Sequence, residues 1–381
     1  MLTLDLKNIE KAPDVWNNVF DYREDIEKLI LSLSGFEKFK KLIVVGNGGS
    51  ITSYDSYYHA LNPQKSSATV WTMEPDYITK IQSQFLSDET LVIAISKSGN
   101  TLGLIEALSA FSNYTVLAVT DPRSGTLGQM AKNMGWKIIP HPPIGGRFSG
   151  GTSCAFVPSH LAGLDIRKIQ SGLVLGYGLK DEAFSLAKYY YDLEKNGYSE
   201  IYIPIYSEAL GNFQNMIIQL MHESVCKDGK GQTVYASLSP EAQHHTNQRF
   251  LGGDRNVIGT FINVKNPNNP ISINLDEKVK KLPYKDKTLE VIEGLNLQDG
   301  LLAECVGTKQ DADEKNVPNA TIEIDRVSEE SVGELLAFWH LVAFYSSILR
   351  DVDPFDQPAV ERSKNITLDV IENLGDRGTS K

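Results

Sequence analysis

Small hydroxyl and amide side chains are concentrated in one short run of the chain, Ser96-Lys97-Ser98-Gly99-Asn100-Thr101. This run follows the continuous apolar segment 91–95 and precedes a helix-like segment at 102–111. Such a loop combines side-chain hydroxyls with the unpaired N–H groups of a helix N-terminus, where the helix dipole is positive. Helix capping needs only one such side chain, and this run has more. It therefore predicts a phosphate-binding loop in which Ser96, Ser98 and Thr101 supply hydroxyl groups.

A second loop, Gly46-Asn47-Gly48-Gly49-Ser50, follows the apolar run 42–45. It has neither the full GxGxxG fingerprint nor the Walker spacing, so it does not favour nucleotide binding. Taken alone, a glycine-rich turn is also explained by close packing of a strand against a helix. Paired with the loop at 96–101, however, it is expected to open at the carboxyl edge of one sheet, where ligands bind in open α/β folds. We therefore expect Gly49 and Ser50 to contribute to the same anion site.

Two further groups have side chains that could do chemistry on a bound anion. Gly145 and Gly146 precede Arg147, so the backbone of this loop can approach a ligand closely and present one guanidinium. Gln219 and Glu223 stand four residues apart on a predicted helix and share a face. A glutamate near a helix end is usually only solvated, so this spacing alone does not make Glu223 a general base.

Two adjacent histidines, His244 and His245, suggest a metal ligand pair, but no carboxylate or cysteine stands at ligand spacing. Side chains of adjacent residues also diverge on most backbones. The sequence therefore predicts no metal site, and it contains no signal for an organic cofactor. The segment 355–364 predicts a turn followed by a charged helix, and its composition gives it no special status.

Composition limits the partners of the protein. The chain has 381 residues and a net charge of −11, which argues against a nucleic-acid surface and mildly against anionic membranes. No apolar run approaches the roughly 20 residues needed to span a bilayer, and no signal peptide is visible. The three cysteines are widely spaced, which suits a reducing cytoplasm.

Short apolar runs alternate with helical patterns, which predicts an α/β protein with parallel sheets covered on both faces. The length predicts more than one domain, and the second half repeats the arrangement of the first more weakly. We expect two tandem doubly wound domains, each a mainly parallel sheet flanked by helices. The predicted divisions are an N-terminal helical segment at 1–30, a first domain at 31–185, a second domain at 186–364 and a C-terminal tail at 365–381.

The motifs, taken together and in order, resemble those of the glucose-6-phosphate isomerase family, which is built from two sugar-isomerase (SIS) domains. The matching elements are Gly-Asn-Gly-Gly-Ser at 46–50, Ser-Lys-Ser at 96–98 with Thr101, Gly-Gly-Arg-Phe-Ser at 145–149, Glu-Ser at 223–224 followed by Gly-Lys at 229–230, Gln-His at 243–244, and Phe-Asp-Gln at 355–357 with Val360, Glu361 and Lys364. The chain departs from the family pattern at Ala242, where the family has glycine, and by four residues inserted after Ser224.

The resemblance implies reversible conversion of D-glucose 6-phosphate into D-fructose 6-phosphate, without a metal or cofactor. It assigns Glu223 as the base that moves the proton between C2 and C1, and Arg147 as the group that stabilises the cis-enediolate. It assigns ring opening to His244 with help from Lys364, as acid/base chemistry near neutral pH requires. The remaining residues expected to bind substrate are Gly49, Ser50, Ser96, Lys97, Ser98, Thr101, Gly146, Gln219 and Gln357.

The family is dimeric, and the resemblance implies a homodimer in which His244 is contributed across the interface. Two alternatives remain open at this point. One is isomerisation of mannose 6-phosphate in addition to, or instead of, glucose 6-phosphate. The other is a non-catalytic sensor that uses the SIS domains only to bind a phosphosugar. A sensor needs the serine loops but has no use for Arg147, Glu223, His244 and Lys364 together.

Overall fold

The computed structural model describes residues 1–378, and these residues form two five-stranded sheets and one small hairpin. The strands are β1 (Leu2–Asp5), β2 (Lys41–Gly46), β3 (Ser66–Val70), β4 (Thr90–Ser96), β5 (Thr115–Thr120), β6 (Lys137–Pro140), β7 (Glu200–Tyr206), β8 (Thr233–Leu238), β9 (Val257–Val264), β10 (Pro283–Tyr284), β11 (Lys287–Thr288) and β12 (Asn319–Ile324). The first sheet has the order β3-β2-β4-β5-β6 and the second the order β1-β12-β9-β7-β8. All pairs in these two sheets are parallel except β1 with β12.

The helices flank and join these sheets. They are α1 (Ile26–Ser32), α2 (Gly49–Leu61), α3 (Pro75–Gln84), α4 (Leu102–Ser109), α5 (Thr126–Met134), α6 (Ser153–Ala162), α7 (Ile166–Gly178), α8 (Lys180–Lys195), α9 (Phe213–Val225), α10 (Thr246–Gly252), α11 (Glu277–Lys280), α12 (Leu297–Glu314), α13 (Glu329–Leu349) and α14 (Glu361–Gly378). Short 3-10 turns lie at 18–21, 146–151, 208–210, 241–244, 289–292 and 358–360.

Each sheet is covered on both faces, which explains why the central strands β2 and β4 of the first sheet contain continuous apolar runs. In β2, Val44 belongs to the core cluster shared with the second domain, whereas its neighbour Val45 faces a separate cluster under α4 and α5. In β7, Ile203 and Tyr202 are divided between two clusters in the same way. Successive side chains of a strand point to opposite faces, so a strand covered on both sides has no polar alternation. The predicted fold class, two doubly wound α/β domains, is confirmed.

One continuous hydrophobic core joins the two domains. It contains one face of each sheet together with α2, α6, α7, α9 and α13. Among the described residues, α13 is the one helix long and apolar enough to cross a membrane by length and composition, but 89% of that stretch is buried inside the protein. It is the central helix of this shared core, and α2 and α9 pack against each other beside it.

The N-terminal segment differs from its prediction. A helical segment is expected over 1–30, but the chain begins with strand β1, and its α-helix starts only at Ile26. Leu2 and Leu4 alternate with polar residues, which is the period of a half-buried strand, and Leu2 pairs with Ile324 at the edge of the second sheet. The helical prediction is therefore wrong for most of this segment.

The divisions predicted at 185 and 364 fall inside helices. The first lies within α8, which packs on α13, and the second lies within α14. The sequence contains no turn or linker at either place, because a helix can continue while the element against which it packs changes. Residues 379–381 of the predicted tail lie outside the described residues.

Candidate active site

The hydroxyl-rich loop lies where β4 ends, directly beside the end of β2. Ser96 Oγ is 3.0 Å from Thr101 Oγ1 and accepts a hydrogen bond from the Gly99 N–H at 3.1 Å. Gly99 has φ of +67°, a left-handed conformation that favours glycine. The loop therefore closes on itself just before α4, with Lys97 and Ser98 exposed at its tip. This leaves hydroxyls and the N-terminal N–H groups of α4 beside one another, as an anion site requires.

The glycine loop at 46–50 approaches the Arg147 loop more closely than any side chain would allow. A Cβ on Gly49 would lie 2.3 Å from the Arg147 backbone nitrogen, and a Cβ on Gly48 would lie 2.6 Å from Gln219 Nε2. A Cβ on Gly146 would in turn lie 3.2 Å from the Ser50 backbone nitrogen. The glycines at these positions therefore bring the two loops and α9 into direct contact.

The contact at Gly49 leads to a stability prediction. Gly49→Ala places a methyl group against the Arg147 backbone and is expected to lower the free energy of unfolding by about 1–3 kcal/mol, because neither backbone segment can move without disturbing the other. Gly145→Ala is the matched control, since Gly145 has φ of −63° and its Cβ position has no heavy atom within 4 Å. Urea unfolding of both variants checks this, and equal stabilities would contradict the proposed close approach.

Arg147, Glu223 and Gln219 form one hydrogen-bonded chain. The Arg147 side chain is only 5% exposed, and its Nη1 donates to Glu223 Oε2 at 3.2 Å. The other carboxylate oxygen, Oε1, accepts from Gln219 Nε2 at 2.9 Å, and Thr52 Oγ1 donates to Gln219 Oε1 at 3.2 Å. Both oxygens of Glu223 are therefore oriented by neighbours, while 29% of its side chain remains exposed.

The charge of Arg147 is held in a largely buried position. Burial lowers the pKa of its guanidinium, and the adjacent Glu223 carboxylate acts in the opposite direction. An arginine remains protonated at neutral pH in spite of such a shift. The site thus holds a fixed positive charge beside a partly exposed carboxylate, which is suited to stabilising an anion formed next to a base.

The remaining donors of Arg147 bind three groups to which the sequence assigns no role. Its Nη2 donates to the carbonyl oxygens of Pro354 (2.8 Å) and Asp356 (2.6 Å), and its Nε donates to Ser224 Oγ at 3.0 Å. These contacts bring the Phe-Asp-Gln turn into the site, with Gln357 half-buried immediately after it. The Glu-Ser pair of the family resemblance was the only available signal for Ser224.

His244 lies far from Glu223 within one chain. The helix α9 crosses back between the parallel strands β7 and β8, so Glu223 lies near the start of β8, where His222 Nε2 accepts from the Val234 N–H at 2.8 Å. His244 ends the 3-10 turn that follows the opposite end of β8. A six-residue strand is about 20 Å long. The exposed His244 of one chain therefore does not reach the Glu223 of the same chain.

Lys364 is also separate from this cluster. It lies on the exposed helix α14, and its ammonium group pairs with Glu361 at 2.7 Å. Gln243, beside His244, donates instead to Tyr206 and Thr308 inside the second domain.

Within residues 1–378, no three His, Cys, Asp or Glu side chains lie close enough together to hold a metal ion.

Comparison with known proteins gives relatives across nearly the whole chain. No protein-family model matches the chain. It is 27% identical to a glucose-6-phosphate isomerase of Methanocaldococcus jannaschii over 370 residues, which cover 92% of this chain and 88% of the relative.

Two solved structures share the fold. A hypothetical protein from Thermus thermophilus superposes with a TM-score of 0.82 at 24% identity, covering 93% of this chain and 90% of that one. A glucose-6-phosphate isomerase from Chlamydia trachomatis superposes with a TM-score of 0.75 at 20% identity, covering 93% and 74% respectively.

Proposed function

We propose that this chain, which belongs to the glucose-6-phosphate isomerase family, interconverts D-glucose 6-phosphate and D-fructose 6-phosphate. The observation that carries the proposal is the Arg147–Glu223 pair at 3.2 Å, placed against the glycine loop and next to the hydroxyl-rich loop. A phosphate site, a fixed cation and an oriented carboxylate are what this isomerisation needs. The reaction belongs to glycolysis and gluconeogenesis, and the cysteine content is compatible with a cytoplasmic enzyme.

Proton transfer is assigned to Glu223. Its carboxylate removes the proton from C2 of the open-chain aldose, and the electron pair of the C–H bond forms the C1–C2 double bond of a cis-enediolate. The electron pair of the C1 carbonyl moves onto O1 in this step, and the proton on O2 then passes to O1. Return of the same carbon-bound proton from Glu223 to C1, as the C2–O2 bond becomes the carbonyl, gives the ketose, so one base serves both carbons. Gln219 holds one carboxylate oxygen by a hydrogen bond at 2.9 Å, and Arg147 stabilises the negative charge on the enediolate oxygen.

Phosphate binding is assigned to the two loops at the carboxyl edge of the first sheet. The hydroxyls of Ser50, Ser96, Ser98 and Thr101 are the side-chain donors. The N–H groups at the start of α2 and α4 add the positive ends of two helix dipoles. Lys97, exposed on the loop, adds a positive charge at its entrance.

Ring opening is assigned to His244 of a second copy of the chain, assisted by Lys364. The argument for a homodimer is that the His244 and Glu223 of one chain lie at opposite ends of β8, so a site containing both needs two chains. The helix α14 is exposed from Glu361 to Leu374 and displays apolar residues there, including Ile366 and Val370, that a partner chain could cover.

The phosphate loop gives a prediction for binding. Ser96→Ala combined with Thr101→Ala is expected to weaken binding of 6-phosphogluconate at least tenfold, since hydrogen bonds to charged groups contribute about 1.5–3 kcal/mol each. Ser96 also anchors the Gly99 turn, so a small loss of stability accompanies this change. Ser109→Ala on the exposed end of α4 is the control. Unchanged affinity, measured by calorimetry, would contradict the phosphate site.

The proposed function is tested by turnover of fructose 6-phosphate in an assay coupled to glucose-6-phosphate oxidation. Mannose 6-phosphate is assayed in parallel to separate the two hexose specificities. Turnover of fructose 6-phosphate supports the proposal. Tight binding of hexose phosphates without any turnover would instead identify a phosphosugar sensor.

A further inference from the structure

A buried lysine lies just beyond the catalytic end of α9 and takes no part in the assignments made above. The Lys227 side chain is 8% exposed, and its Nζ lies 2.8 Å from Asp356 Oδ1 and also donates to the Asp353 carbonyl oxygen. Burying an ammonium group is unfavourable unless it is paired and hydrogen-bonded. Lys227 therefore binds the turn at 353–357 through both Asp353 and Asp356.

The same turn is bound from its other side by Arg147. Asp356 gives its carbonyl oxygen to Arg147 Nη2 at 2.6 Å and its carboxylate to Lys227, so one residue connects the two cations. Phe355 fixes the middle of the turn, because its ring packs 5.2 Å from that of Phe148, the residue that follows Arg147. The turn is thus fastened by two cations and one aromatic contact.

The charges explain why this fastening matters. The carbonyl groups of the turn direct Nη2 of Arg147, which leaves Nη1 facing Glu223. A carboxylate binds a guanidinium more strongly than a carbonyl does. If the Asp356 carboxylate loses its ammonium partner, it becomes free to pair with Arg147 and draw the guanidinium away from Glu223.

We propose that Lys227 is a positioning residue for the isomerase reaction, holding the Asp356 carboxylate away from Arg147 so that the guanidinium stays directed at Glu223 and the enediolate. This inference rests on the proposed function. It also separates Lys227 from Lys230, the lysine that the family resemblance selects. Lys230 Nζ donates instead to the Arg350 carbonyl oxygen, which lies outside the turn.

The test compares Lys227→Met with Lys230→Met in steady-state kinetics of fructose 6-phosphate turnover. Lys227→Met is expected to lower kcat by about 10–100-fold with KM changed less than about threefold, because a small displacement of a catalytic group has effects of this order. Lys230→Met is expected to stay within about twofold of the wild-type kcat. Thermal unfolding of each variant ensures that kcat is measured on folded protein.

Two further variants distinguish positioning from a merely structural role. Lys227→Arg keeps the charge and is expected to retain most of kcat. Adding Asp356→Asn to Lys227→Met removes the competing carboxylate and is expected to recover at least about fivefold in kcat, because the carbonyl contact to Arg147 is preserved.

A fully active Lys227→Met, or no recovery in the double variant, would overturn the inference while leaving the proposed function intact. An inactive wild-type protein would refute the proposed function and this inference with it.

Discussion

Replacing Glu223 with glutamine is expected to lower kcat by about 10²–10⁴-fold, the usual contribution of a positioned general base. The amide keeps the size of the side chain, its oxygen can still accept from Arg147, and its NH2 group can donate to Gln219 once the Gln219 amide turns over, but it cannot accept the C2 proton. Sugar phosphate binding is therefore expected to persist. Exchange of the C2 hydrogen with solvent, followed by NMR together with kcat, measures the step directly.

The matched control for this change is Glu208→Gln, at the start of the 3-10 turn before α9, where the carboxylate is exposed. It is expected to leave kcat unchanged. Near-wild-type exchange in Glu223→Gln would eliminate Glu223 as the base and direct attention to Glu208 and Glu241.

Replacing His244 with alanine is expected to slow turnover of cyclic glucose 6-phosphate by about 10²–10⁴-fold, since ring opening then lacks its acid/base group. An aldotetrose 4-phosphate cannot close a ring, because its terminal oxygen carries the phosphate. Proton exchange at its C2 is expected to be far less affected, because Glu223 and Arg147 remain. His245→Ala is the control and is expected to be milder, since this ring is engaged with the neighbouring Thr246. Equal loss for both substrates would place His244 in proton transfer or binding.

The same two variants also test whether His244 acts across a dimer interface. If it does, a mixed dimer of Glu223→Gln and His244→Ala subunits contains one site in which both residues are intact. Random reassociation of equal amounts is then expected to restore about a quarter of wild-type activity from two nearly inactive proteins. If His244 acted within its own chain, no mixed dimer would contain an intact site and no activity would return.

The sequence by itself was sufficient to predict the strands that are buried on both faces of a sheet. The runs 42–45 and 91–95 contain no polar residue, and only a strand covered on both sides requires that pattern. The glycines at 48 and 49 and the hydroxyls at 96–101 were also visible, because close backbone approach and anion binding each require particular residue types. The N-terminal strand β1 was missed, because four residues of alternating polarity are too short to distinguish from a loop or helix.

The partners of Arg147 could be found only in the tertiary structure. The acceptor at Pro354 is a backbone carbonyl group, and it lies 207 residues along the chain from Arg147. Every residue type carries such a group. A carbonyl oxygen therefore leaves no signal in the sequence. The choice between Lys227 and Lys230 was likewise decided by the path of the chain after α9, because the two side chains are chemically identical. The separation of His244 from Glu223 follows from the direction in which α9 crosses between β7 and β8, which spacing along the sequence does not specify.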